Sequence, residues 1–96
     1  MRYLIVDGML SGTGVRDAVD GGYIELVKLD VSVQLKDEIA NWLARYEAAH
    51  YTQFSDIREV DALDTIGRKL CNRLAHELSE SKTEYFSAAQ MKRLDC

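Results

Sequence analysis

The 96-residue chain contains no proline. An average protein carries about 5%, so the turns here must rest on Gly, Asp, Asn and Ser. Cysteine is scarce, with only Cys71 and Cys96. Two cysteines do not make the framework of a disulfide scaffold. They read as a buried thiol on a helix and a free thiol at Cys96, in a reduced chain. Histidine is limited to His50 and His76. No HExxH and no Cys–His spacing that would hold zinc is present. No apolar run approaches the ~18 residues of a membrane span. The run from Arg2 to Val6 stops at Asp7-Gly8, too short for the core of a secretory leader. These absences predict a cytoplasmic chain without metal or cofactor and without a membrane partner.

An excess of basic residues is also missing. The net charge is −4 and the pI about 5.1. Nucleic acid and anionic membranes need a basic face, so neither is expected as a direct partner. A basic protein partner is permitted. The charge is uneven. Met1 to Asp64 holds twelve acids and six bases, whereas Thr65 to Cys96 holds four acids and six bases. A cationic partner would be steered toward the first two-thirds.

What is present is an ordinary apolar fraction of 47%, enough for one globular domain over residues 1–96. The organising stretch is Asp56 to Ser79. On a helical wheel Val60, Leu63, Ile66, Leu70, Cys71, Leu74 and Leu78 fall on one side. Arg58, Asp61, Thr65, Lys69, Asn72 and His76 fall on the other. This is an amphipathic helix, opened by Asp56 and Glu59 as a capping box. Gly67 interrupts its apolar arc at a cost of about 1 kcal/mol relative to alanine. Close passage of a ring, with Trp42 the candidate, would explain it.

A second helix is predicted over Ser32 to His50, with Ser32 as N-cap. Leu35, Ile39, Trp42, Leu43 and Tyr46 form its core arc. On the opposite side Ala40, Ala44 and Ala48 repeat at i, i+4, i+8, flanked by Asp37, Asn41 and Glu47. Alanine there serves helix propensity or leaves room for a second contact surface.

Three strands are expected, over Arg2–Val6, Tyr23–Val27 and Lys82–Ser87. In the second, alternation turns Ile24 and Leu26 to the core. Val15, Ala18 and Val19 are read as one helical turn, and Ala88–Leu94 as a final short helix. Two long helices on a small, mainly antiparallel three-stranded sheet give a two-layer α+β fold.

Catalytic signals are weak. The Ser11–Gly14 segment lacks the Gly-Lys-Ser/Thr of a P-loop and the third glycine of a dinucleotide fingerprint, so it reads as a turn. His50 is placed to hydrogen-bond a carbonyl near its helix end, and His76 to face solvent. The acid pairs Asp61/Asp64 and Asp37/Glu38 read as solvated helix surface. No enzyme is expected. Tyr46, Tyr51 and Phe54 cluster near Glu47, Asp56 and Glu59, a combination that suits binding to a basic surface. Tyr46 and Phe54 also fit a core.

The stretches GGYIEL, IANWLARYEAAHY and LDTIGRKLCNRLAHEL, ending in TEYFS, give a general pattern. It resembles the small immunity proteins of contact-dependent growth inhibition and other polymorphic toxin systems. The resemblance implies a bacterial cytoplasmic protein that binds and blocks one toxin domain, commonly a basic nuclease. No site residues are carried over from it. The residues themselves nominate Asp17, Asp20, Asp37, Glu47, Tyr51, Asp56 and Glu59 as the partner-binding set. Two alternatives stay open. One is a non-catalytic regulatory adaptor or homodimeric interaction domain using the alanine face, monomeric or weakly dimeric. The other is a small-molecule binder or enzyme using the Gly12–Gly14 loop.

Overall fold

The computed structural model describes residues 1–96. Its elements run β1 (Arg2–Asp7), β2 (Val15–Asp17), a 3-10 turn at Leu26–Lys28, α1 (Val33–Tyr51), α2 (Ile57–Glu77), β3 (Ser81–Ser87) and β4 (Lys92–Leu94). Two helices and a sheet make the α+β architecture. The sheet has four strands in the order β2-β1-β3-β4, and it is mixed. The expectation of three mainly antiparallel strands is corrected on both counts. β1 pairs β3 in parallel from Arg2↔Ser81 to Asp7↔Phe86. β2 and β4 are short antiparallel edges.

β1 is central because Leu4, Ile5 and Val6 leave no polar side. Leu4 and Val6 enter the main core with Val15 and Tyr85. Alternation then sends Ile5, Asp7 and Arg16 to the other face, where Asp7 is fully buried.

The expected strand over Tyr23–Val27 does not form. Tyr23 makes only an isolated bridge to Arg16. The Thr13 hydroxyl donates to the Ile24 carbonyl, which a neighbouring strand would otherwise use. Val15–Asp17 takes the place beside β1 and not a helical turn. The Asp17 carboxylate ends it by accepting from the Val19 and Asp20 amides at 2.8 and 2.9 Å. Ile24 and Leu26 still pack on the core, while Val27 stays exposed. Ala88–Leu94 is likewise a turn and a strand. Ser87 Oγ and Tyr46 Oη accept from the Gln90 and Ala89 amides. Seven residues are too few to nucleate a helix against that.

Both helices form where the sequence places them. Ser32 caps α1 by accepting from Leu35 N at 3.1 Å. Asp56 caps α2 by accepting from Arg58 N and Glu59 N. The return half of the capping box is absent, because Glu59 turns to Arg45 instead. Leu35, Ile39, Trp42 and Tyr46 of α1 meet Leu63, Leu70, Cys71 and Leu74 of α2 in one core. Gly67 lies against the rings of Tyr85 and Trp42. A Cβ there would stand 2.7 Å from Tyr85 Cζ and 2.9 Å from Trp42 Cζ2. The Trp42 indole N–H donates to Leu63 O at 2.8 Å, so the two helices are tied at the same level.

The cysteines depart from expectation. Cys71 and Cys96 form a disulfide with their Cα atoms 5.7 Å apart, within the ordinary range. It fastens the residues after β4 to α2. Spacing on a wheel gives the burial of Cys71 and says nothing about which residue reaches it.

Candidate functional site

Three of the seven nominated residues share one face. Asp37, Glu47 and Tyr51 all lie on the exposed side of α1. Between and beside them are Val33, Ala40, Ala44 and Ala48, also exposed. These positions repeat at i, i+3, i+4 and i+7, so they form one stripe along the helix. Val33 is 72% exposed and Tyr51 76%, which places large apolar surface at both ends. Asp37 and Glu47 make no ion pair. Both charges are therefore free to meet a cation.

The other four do different work. Asp56 is the α2 cap. Glu59 grips Arg45 through two bonds, Arg45 Nη2 to Oε1 at 2.8 Å and Arg45 Nε to Oε2 at 3.3 Å. That bond pushes the guanidinium pKa up. Asp17 closes the turn after β2. The Asp20 and Val19 amides it accepts from hold its carboxyl below the usual carboxylate range. Asp20 is exposed in the same turn. These two belong to the sheet edge rather than to the helix face. Of the aromatic cluster, Tyr46 is buried. Phe54 is half-buried, edge-on to Tyr46 and His50. Only Tyr51 is presented outward.

Two buried carboxylates escaped the sequence reading. Asp64 does not share a solvated surface with Asp61. It is 5% exposed, accepting from Tyr85 Oη at 2.6 Å, Ser87 Oγ at 2.8 Å and Gln90 Nε2 at 2.8 Å. Burial, and then the bond to Asp64, push the Tyr85 phenol far above its ordinary value. Burial also raises Tyr46. The bonds to Asp64 join α2 to the end of β3. Asp7 accepts from Tyr23 Oη at 2.7 Å and lies 3.3 Å from Arg16 Nε. Burial and that bond raise Tyr23 as well. A signal for Asp64 was available: on the wheel it stands between Cys71 and the solvated arc.

The glycine loop is filled by the protein itself. Gly12 abuts the Tyr23 ring, and Gly14 adopts a positive φ of 98° against Ile39. His50 Nε2 stands 2.8 Å from Gly8 O, a carbonyl at the end of β1 and not of its own helix. His76 is exposed, as expected. No group of acidic, histidine or cysteine side chains is arranged to hold a metal ion, and no helix is long and apolar enough to cross a membrane. No protein-family model, curated protein or solved structure matches the chain, so the functional reading rests on this geometry.

Proposed function

We propose that the chain is an immunity protein that binds a cognate toxin domain, a basic nuclease, and covers its active site. The observation that supports this reading is the outer face of α1. It combines exposed Val33 and Tyr51, three alanines that permit close approach, and the unpaired acids Asp37 and Glu47. Exposed apolar surface rimmed by polar residues is one mark of a protein contact. Tyrosine is a frequent anchor at such contacts, and the acids would speed encounter with a cationic partner. The binding set narrows to Asp37, Glu47 and Tyr51. Asp17 and Asp20 act through the long-range field, and Asp56 and Glu59 through the fold. No catalytic step belongs to this reading. The action is cytoplasmic, a compartment that would reduce the Cys71–Cys96 bond.

The test is binding and protection. The partner to try is the C-terminal domain of a secreted protein encoded directly upstream of this chain. Calorimetry is expected to give a tight one-to-one complex, and co-expression to restore growth. Tyr51→Ala is expected to cost about 2 kcal/mol of binding, and Glu47→Arg to slow association. No complex and no protection would overturn the proposal.

A second reading is favoured by the same alanines. Ala40, Ala44 and Ala48 allow two copies of α1 to approach closely, as in a homodimeric interaction domain. Sedimentation separates the two. A stable dimer abolished by Ala44→Glu would favour self-association.

A further inference from the structure

The seam between α1 and α2 holds a pocket of about 380 Å³, within the size range of small-molecule sites. Its floor is apolar. Trp42 and Leu70 are buried there and Ile66 is half-buried. It is open to solvent and flanked at its two ends by ion pairs that cross from one helix to the other. Arg45 of α1 binds Glu59 of α2 at one end, and Glu38 of α1 binds Arg73 of α2 at the other. Glu38 and Arg45 are seven residues apart, with Asn41 between them on one wall. Ile66 and Arg73 are also seven apart, with Lys69 between them on the opposite wall. The ammonium of Lys69 makes no ion pair. The Asn41 amide has no partner among the side-chain hydrogen bonds, which tie down the neighbouring Arg45 and Trp42.

We propose that this pocket binds a small monocarboxylate with an apolar body. The carboxylate is held by Lys69 and the Asn41 amide, and the hydrocarbon lies on Trp42, Ile66 and Leu70. The charge count sets the class. Arg45 and Arg73 are already neutralised by their carboxylate partners, so one positive charge is left to be matched. A cation is repelled by it, and a neutral amphiphile leaves it unmatched. A polyanion would have to break the straps at both ends. Burial of the apolar body contributes roughly 25 cal/mol per Å² of surface covered, and the ammonium selects the sign of the head group. The site borders the protein-binding face at Asn41 but uses none of Asp37, Glu47 and Tyr51, and Lys69 belongs to α2.

Trp42 is the only tryptophan, so all indole emission comes from the pocket floor. Octanoate titrated into the intact protein is expected to change that emission along a saturable curve. Octylammonium and octanol at equal concentration are expected to give weaker responses. Lys69→Glu reverses an exposed, unpaired charge and leaves the melting temperature near that of the parent. It is expected to raise the octanoate midpoint by at least about tenfold, which is 1.4 kcal/mol. An unchanged emission through the millimolar range would overturn the proposal. So would octylammonium or octanol matching octanoate, or a Lys69→Glu midpoint equal to that of the parent.

Discussion

At Gly67 the missing side chain lets Tyr85 and Trp42 close over the middle of α2. Gly67→Ala improves helix propensity by about 1 kcal/mol. It also drives a methyl group into two buried rings, an overpacking cost of about 1–3 kcal/mol or more. The net expectation is a loss of stability, measured as a lower urea midpoint with an unchanged slope. Glu77 makes a different prediction. Its carboxylate accepts from Ser32 N at 2.6 Å and from the Ser32 hydroxyl at 3.0 Å. These bonds hold its pKa below the usual 4.5. A depressed carboxylate stabilises the fold above its unfolded pKa and loses that contribution as pH falls through the folded pKa. Asp17 has the same sign, below 3.8. The melting temperature is therefore expected to drop below about pH 4.5. Glu77→Gln should flatten the upper part of that drop, read from thermal melts across the pH series.

Among the elements, α1 and α2 were legible because each carries a cap, a stripe and enough turns to be cooperative. Ser32 and Asp56 even name the first residue outside each helix. The sheet was less legible. β1 and β3 are long enough to show as β-branched and aromatic runs. β2 and β4 are three residues each, and such edges exist only because a neighbour offers a ladder. Tyr23–Val27 had the better local pattern and lost to Thr13 and Asp17, whose side chains redirect the backbone bonds. The parallel pairing of β1 with β3 depends on where two helices return the chain, which no local signal carries. At the candidate site, the alanine stripe, Asp37 and Glu47 were readable from the wheel, whereas Tyr51 stood out only as an aromatic beyond the expected helix end at His50 and joins the face because α1 runs on to it. The structural use of Asp56 and Glu59 was not separable from a recognition role. The disulfide adds a prediction at this scale. It links residues 25 apart in the chain, so constraining the unfolded state is worth about 3 kcal/mol. Cys96→Ser, or the parent in reductant, is expected to unfold at correspondingly lower denaturant. If the bond contributes nothing, the two midpoints coincide.

For the whole molecule, the helix layer sets the shape. The longest extent is 37 Å against 24 and 21 Å across. A helix of the length of α2 spans about 31 Å. The sheet backs that layer through Tyr85 and Asp64, while the outer side of α1 and the seam beside it remain open. Acidic charge concentrated in the first two-thirds of the chain is spread over the β2 turn, α1 and the start of α2. A partner therefore meets a broad negative field before it meets Tyr51. Salt should slow its association more than it weakens the final complex.

The parallel ladder between Arg2 and Ser81 has a further consequence, in the order of events at the ribosome. β1 is made first, yet one of its two neighbours is made only after both helices. Until then an apolar strand waits with one side unpaired, the kind of edge that recruits other nascent chains. A chain ending at Glu80 is expected to show helical circular dichroism without a cooperative melt, and to aggregate on release. Addition of β3 and β4 should restore a single sharp transition. The cell would meet this domain as an all-or-nothing unit, committed only once β3 and β4 have joined it.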